Sequence, residues 1–506
     1  MLARTREALT QDACLNVLLV SPEFPDTFWS FKHALKFIRK RASLPPLGLL
    51  TVAALLPRAW EKRLCDLNVT TLDEKDLAWA DLVFVSGMVV QRDSARRILV
   101  RCAAAGVKTV AGGPLFTCEP DDFPEADHLV LNEAELTLPP FLRDLDAGRP
   151  QRVYSSEELP EMDATPAPLW EIADLRRYAS MSIQYSRGCP FNCEFCNVTS
   201  LFGHRPRTKS AEQVIAELDG LYDLGWRDRV FFVDDNLIGN KRKLKTELLP
   251  ALIEWQRGKD PIPFYTEASI NLADDEALMR MMVDAGFDTV FVGIETPNEE
   301  SLAECSKKQN KNRDLVGDVK RIQRAGMQVQ GGFIVGFDSD THSIFERQIE
   351  FIQKSGIVTA MVSLLQAPHG TPLYERLARE SRLLGRMSGD NTEGETNIIP
   401  KMDLDLLREG HKRILRHIYS PDAYYQRVKT FLQEYEPPKI KSPVGIDQLL
   451  TSLRCCLHLG VLGKERFHYW KLLSWTLRRR PELVPMALTL AINGYHYRRI
   501  CETHFV

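Results

Sequence analysis

Three cysteines, Cys189, Cys193 and Cys196 in the run RGCPFNCEFC, are the residues best placed to do chemistry. Their soft thiolates suit iron–sulfur clusters. The run follows MSIQYS, an apolar stretch that reads as a strand, so the thiolates stand at a strand end. Three thiolates cannot ligate four irons, so a 4Fe–4S cluster held here keeps one iron open. A cluster serving electron transfer alone normally has four protein ligands. A structural zinc site also needs a fourth ligand. His204, eight residues after Cys196, is a candidate for it, although its context HRPRTKS reads as a basic loop entering a helix. The chain has 11 cysteines in all, an odd count with no regular framework, which argues against a secreted disulfide scaffold.

The elements that must position this run form a βα series. Apolar strands are expected near Ile183, Val230–Val233, Phe264–Glu267, Thr289–Val292, Gln328–Val335 and Thr359–Leu364, with helical segments between them. Six units fit a partial barrel, related to the eight-unit barrel whose sites lie at the C-terminal strand ends. Ahead of it, LNVLLV (15–20), DLVFVSG (81–87), VKTVAGGP (107–114) and DHLVLNEAELTLPPFL (127–142) alternate with helices over 45–57 and 92–105. That pattern is an open, doubly wound parallel sheet, which places ligands at its C-terminal strand ends. Those ends are Ser21-Pro22, Ser86-Gly87-Met88, Gly112-Gly113-Pro114 and Asn132-Glu133.

The fold class is therefore α/β: a doubly wound, Rossmann-like sheet (1–150), a linker (151–174), a six-unit partial βα barrel (175–400) and a helical C-terminal region (401–506). The polar loop GRMSGDNTEGETNIIPK after Leu384 reads equally as a lid or a surface connection.

Over 506 residues, 44% hydrophobic and 26% charged, the composition is that of an ordinary globular protein, and a net charge of −3 gives no bias toward nucleic acid. The start of the chain has no apolar signal core and no stretch approaches a spanning helix, so a cytoplasmic location is expected. Residues 439–506 differ from the average, with 11 Lys and Arg against 4 Asp and Glu. Two readings stand for this aromatic, arginine-rich tail. It is either a basic amphipathic surface touching anionic lipid or a helical cap whose aromatics are core.

The CPFNCEFC run, with Phe195 ahead of its last cysteine, resembles the radical SAM signature. FFVDDNLIGN (231–240), FYTEASINLA (264–273), GFDTVFVGIETPNEESL (286–302) and GGFIVGFDSD (331–340) resemble the second to fifth strand ends of the same barrel. From residue 15 onward the chain resembles the cobalamin-binding radical SAM branch that carries a C-terminal extension of unknown function, hopanoid methylases among them.

The resemblance implies three cofactors: a 4Fe–4S cluster on Cys189, Cys193 and Cys196, S-adenosyl-L-methionine (SAM), and cobalamin. It implies Phe195 near the adenine, Asp234, Asp235 and Asn236 near the SAM amino group, and Glu267 and Glu295 facing the mouth. It also implies close approach of SAM at Gly331 and Gly332. Ser86, Gly87, Met88, Gly112, Gly113 and Glu133 stand where the family contacts cobalamin. No DxHxxG occurs in residues 1–150, and His33 and His128 lie outside such a context, so cobalamin is expected without a histidine ligand; a cobalamin-free domain is the alternative.

The implied activity is methylation of an unactivated carbon through a 5′-deoxyadenosyl radical and methylcobalamin, with SAM consumed twice. Ring formation or rearrangement without methyl transfer is the alternative, and a non-enzymatic corrinoid or iron–sulfur sensor a remote one. Implied partners are a small-molecule or lipid substrate and an external electron donor such as flavodoxin or ferredoxin, without nucleic acid, and with peripheral membrane contact.

Overall fold

The computed structural model describes residues 14–438 and 446–504. Two six-stranded parallel sheets dominate it. The first holds β1 (Asn16–Ser21), β2 (Glu61–Asp66), β3 (Leu82–Ser86), β4 (Lys108–Gly112), β5 (His128–Val130) and β6 (Val153–Tyr154), in the order β2-β1-β3-β4-β5-β6. Central strands such as NVLLVS are apolar on both faces because helices cover both. Leu18 and Val20 enter one core cluster, Val17 and Leu19 the other. Strand order reverses between β1 and β3, and a crevice at such a switch point is where open α/β sheets bind ligands.

Sequence reading missed β2 and β6. Strand β2, EKRLCD, lies at the sheet edge and alternates exposed charged residues with partly buried ones, so it lacks an apolar run. Strand β6 is two residues long and comes from the segment expected to be a linker. There Trp170 is buried in the core of the next unit.

The second sheet holds β7 (Met181–Ile183), then, past a two-stranded antiparallel ribbon of β8 (Ser186–Arg187) and β9 (Arg207–Thr208), β10 (Val230–Phe232), β11 (Phe264–Glu267), β12 (Phe287–Glu295), β13 (Gln328–Val335) and β14 (Ala360–Leu364). Its order, β14-β13-β12-β11-β10-β7, follows the chain, as expected of a partial barrel built from successive βα units.

Of the C-terminal helices Leu404–Ile418, Pro421–Glu434, Ile446–Cys455, Arg466–Arg479 and Val484–His504, the first packs on β14, the second on the helix Ile344–Ser355, and the third and last reach the segment 32–38 that follows β1. The Tyr419 hydroxyl donates to the Ala360 carbonyl (2.7 Å), and fully buried Arg427 donates to the Ile418 carbonyl (2.8 Å). The chain after β1 also enters this region, where Phe28 stacks on Tyr497 at 4.3 Å. Much of the C-terminal aromatic content is therefore core. Among the described residues, no helix is long and apolar enough to cross a membrane.

Candidate active site

The cysteine loop leaves the ribbon at Gly188, whose φ is +92°. A side chain there would meet the carbonyls of Phe202, Gly203 and Arg205 within 3 Å, so only glycine makes this turn. The loop is stitched to the barrel on both sides. The Cys189 amide donates to the Gly203 carbonyl (3.2 Å) and the Glu194 amide to the Cys305 carbonyl (3.0 Å). The Glu194 carboxylate accepts a forked pair from Arg376 at 2.7 and 3.1 Å.

Two amides approach the sulfurs: Asn236 Nδ2 is 4.0 Å from Cys189 Sγ, and Gln309 Nε2 is 3.7 Å from Cys193 Sγ. Burial pushes the Cys196 thiol up to about 12. Three sulfurs on one loop, with N–H donors aimed at them, are a donor set that fits an iron–sulfur cluster with three protein ligands. His204, the candidate fourth ligand of a zinc site, is exposed.

Past β10 the chain enters a turn, and Asp234 and Asp235 meet different surroundings. Asp234 is fully buried and points back at the start of the loop, accepting from the Tyr185 amide (3.1 Å), the Ser186 amide and the Ser186 hydroxyl (2.5 Å). Both its oxygens accept from the start of that loop, so Asp234 is a latch on it. Asp235 has no hydrogen-bonding side-chain partner among the described residues, and its charge is felt at Cys189, Cys196 and Glu267. Burial raises Asp235 to about 6 and, with the charges of Asp235 and Asp234, raises Glu267 to about 8. Asn236 is held by the Ser269 amide at 3.1 Å.

Glu295 ends β12 at a register shift, with φ +63°, a strained value for a residue with a side chain. Its carboxylate lies 2.6 Å from Lys307 Nζ. Burial alone would lower the Lys307 pKa, but Glu295 and Cys193 hold it above the ordinary lysine value. Its ammonium is therefore a fixed cation, 5.9 Å from the Phe195 ring centre and close enough to Cys196 to oppose the burial effect there. Neither Lys307 nor Gln309 was picked out from sequence; the polar run CSKKQN after a strand-end acid was the available signal.

A side chain at Gly332 would strike the Phe291 ring, and one at Gly331 the Phe333 and Ile357 side chains. The protein's own packing holds both positions to glycine.

At the edge of the first sheet, Met88 is 54% exposed beyond β3, and its amide is fixed by Gln91 (2.9 Å). Side chains at Gly112 and Gly113 would strike the Val130 carbonyl and the Ser86 hydroxyl. An apolar exposed residue on a backbone-lined edge at the switch point fits a broad flat cofactor such as a corrin. His128 starts β5, at the opposite end of the sheet, and contacts the Gln151 carbonyl at 2.7 Å; the His33 ring is 5.6 Å from that of His496. Neither stands at the edge formed by the ends of β3 and β4.

Glu133 is buried, with one oxygen 2.6 Å from Arg207 Nη2 and the other shared by Arg187 (2.5 Å) and Arg207 (3.1 Å). Arg187 also pairs with Glu135 at 2.9 Å. Glu133 thus locks the first sheet to the ribbon that carries the cysteine loop.

The loop after Leu384 spans the same gap from the other side. Arg386 pairs with Asp122, the Met387 carbonyl accepts from Arg92 (3.0 Å), and Asn391 Nδ2 donates to Met361 Sδ on β14 (2.9 Å). Trp29 Nε1 donates to the same sulfur (2.9 Å) and its ring lies edge-on to Phe291 at 5.5 Å. The loop straps the two sheets' ligand edges together.

Comparisons with known proteins agree with this layout. Family models match for a B12 binding domain (residues 40–142), the radical SAM superfamily (183–352) and a domain of unknown function, DUF4070 (371–505). An uncharacterized methyltransferase of Synechocystis sp. is 40% identical over 96% of this chain and 92% of its own length. The hopanoid C-2 methylase of Rhodopseudomonas palustris is 35% identical over 92% of this chain and 89% of its own. The radical S-adenosylmethionine methyltransferase TsrM of Kitasatospora setae, solved with cobalamin and a [4Fe-4S] cluster, has the same fold (TM-score 0.57, 14% identity, 91% of this chain and 99% of that one). Sequence and fold agree: the chain belongs to the cobalamin-binding radical SAM family with a C-terminal DUF4070 extension, the family that includes the hopanoid C-2 methylase.

Proposed function

We propose that this chain is a cobalamin-dependent radical SAM C-methyltransferase acting on an unactivated carbon of a small molecule or lipid. One observation carries the reading most. The ribbon that carries the three-cysteine loop is tied to the end of β5 in the first sheet by Glu133, Arg187 and Arg207, which supports two cofactor sites close to each other. When bound, the cluster, SAM and cobalamin supply one-electron cleavage of SAM and a carrier for the methyl group.

The chain's own residues hold and orient. Cys189, Cys193 and Cys196 ligate the cluster, while Asp234 fixes the loop that carries them. Asp235, Asn236 and Glu267 offer oxygens to the cationic methionine end of SAM, and Phe195 borders its adenine. Glu295 reaches the mouth only as the partner of Lys307. Ser86, Gly87, Met88, Gly112 and Gly113 present backbone and one thioether to the corrin. The strap over 385–397 excludes water from the cleft. In this reading residues 1–150 bind cobalamin, 151–174 connect, 175–400 form the barrel and 401–506 the helical region. An external one-electron donor reduces the cluster, and the C-terminal region contacts a membrane surface.

The test is isotopic. With methyl-deuterated SAM and a reductant, label is expected in a product heavier by one methyl, with S-adenosylhomocysteine and 5′-deoxyadenosine in equal amounts. An unlabelled product at its original mass, formed with cobalamin bound, would leave rearrangement in place of methyl transfer. Mass spectrometry of lipids and pigments from a deletion strain names the substrate.

A further inference from the structure

The helical hairpin of Ile446–Cys455, the wide turn Cys456–Val461 and Arg466–Arg479 carries its apolar residues on two opposite faces. The inward face is Cys455, Leu459, Tyr469, Leu472 and Thr476, all buried. The outward face is apolar too. Leu453, Leu457 and Val461 recur four residues apart on one side, each more than half exposed. Leu462, Phe467 (73% exposed) and Trp470 extend it around the tip. The indole Nε1 of Trp470 donates to the Gly460 carbonyl (2.9 Å), which sets its ring against Gly460. Core packing does not account for these side chains, since the hairpin already has a complete buried face.

The charges around the ridge have one sign. Lys464, Arg466, Lys471, Arg478 and Arg479 are exposed, whereas the one acid between residues 450 and 481, Glu465, is buried and paired with Arg498. An exposed apolar ridge marks an interaction site. A cationic rim with Trp and Phe at the tip matches an anionic bilayer, where aromatics sit at headgroup level and Lys and Arg meet lipid phosphates. We propose that this hairpin docks the protein on an anionic membrane surface. The same helix rests on Phe37, with Arg454 donating to its carbonyl (2.7 Å), and the segment that carries Phe37 places Trp29 against the barrel at Phe291. The docking face and the barrel thus share one aromatic segment. The proposal extends the lipid-substrate reading without depending on it, because binding a bilayer needs no catalysis.

The test is co-sedimentation of the full-length, cluster-loaded protein with vesicles of phosphatidylcholine, or of phosphatidylcholine and phosphatidylglycerol in equal parts. Binding to the anionic vesicles is expected, weakening with salt. The pair Leu457→Ser and Phe467→Ser should weaken it at least about tenfold. Lys464→Gln, Arg466→Gln and Lys471→Gln should each cost about fivefold and remove the preference for anionic lipid. Far-ultraviolet circular dichroism and the cluster absorbance, unchanged in these surface variants, report that the fold is intact. Absence of binding by the unaltered protein, or binding untouched by the substitutions, would overturn the proposal. So would a concentration-dependent dimer abolished by Leu457→Ser and Phe467→Ser, which would assign the ridge to a second copy.

Discussion

The guanidinium of Arg207 lies 2.6 Å from the carboxylate of Glu133, joining the ribbon before the cysteine loop to the end of β5. Both residues are buried, and Arg187 shares the same carboxylate. Glu133→Ala would leave two arginines without that partner, the situation in which a buried ion pair matters most. The expected loss is about 3–5 kcal/mol in chemical unfolding, together with poorer cluster loading. The adjoining pair adds a pH signature. Burial would raise Glu135, but Arg187 holds it below the ordinary carboxylate range. Its stabilisation is complete above the unfolded pKa of about 4.3 and is lost as pH falls through the lower folded value. The stability difference between the unaltered protein and Glu135→Gln should therefore vanish in acid.

Cys189→Ala, Cys193→Ala and Cys196→Ala should each abolish the brown chromophore and SAM cleavage together, whereas Cys455→Ala and Cys501→Ala should not. Asp234→Ala should reduce iron content as well, although Asp234 is no ligand, because two amides and a hydroxyl lose their acceptor at about 1–3 kcal/mol each. Asp235→Ala should keep the iron and weaken SAM binding. Iron assay and SAM titration on the two aspartate variants separate the latch from the contact. Equal iron loss in both would contradict the division.

Lys307 places a permanent positive charge beside Cys193 and Cys196. A cation near a cluster favours its reduced state. Lys307→Met should lower the midpoint potential, followed by electron paramagnetic resonance during redox titration, by on the order of 1 kcal/mol, a few tens of millivolts for one electron. A purely structural lysine would leave the potential unmoved once Glu295→Gln is added to relieve the unpaired acid.

Glu267, raised by burial and neighbouring acids to about 8 in the folded chain, is favoured neutral. Its contribution to stability is full below the unfolded carboxylate pKa and declines as pH rises toward 8, at up to ~1.4 kcal/mol per pH unit. Glu267→Gln should flatten that slope in urea unfolding at a series of pH values. Cationic SAM prefers the ionised acid, so its affinity should climb over the same range in the unaltered protein and not in the variant.

The cysteine spacing and the apolar strands that precede each strand-end acid were legible in the sequence, because both are local patterns. Which way each acid faces was not. Asp234 and Asp235 are identical in type, and only their different partners in the fold separate them. The Glu133–Arg207 pair spans 74 residues and Gln309–Cys193 116, separations over which no periodicity carries information. Gly331 and Gly332 are held to glycine by Phe333 and Phe291 packed close by, contacts that no local pattern announces. The outer apolar ridge of the hairpin was hidden because its inward and outward residues look alike in composition.

The salt-bridged ribbon on one side and the strap to Met361 on the other hold the two sheets' mouths at a set spacing. Such a frame acts as a caliper. Under the proposed function, a substrate would be gauged against a spacing the polypeptide fixes, so the carbon that reacts would be chosen by fit before any difference in bond strength counts.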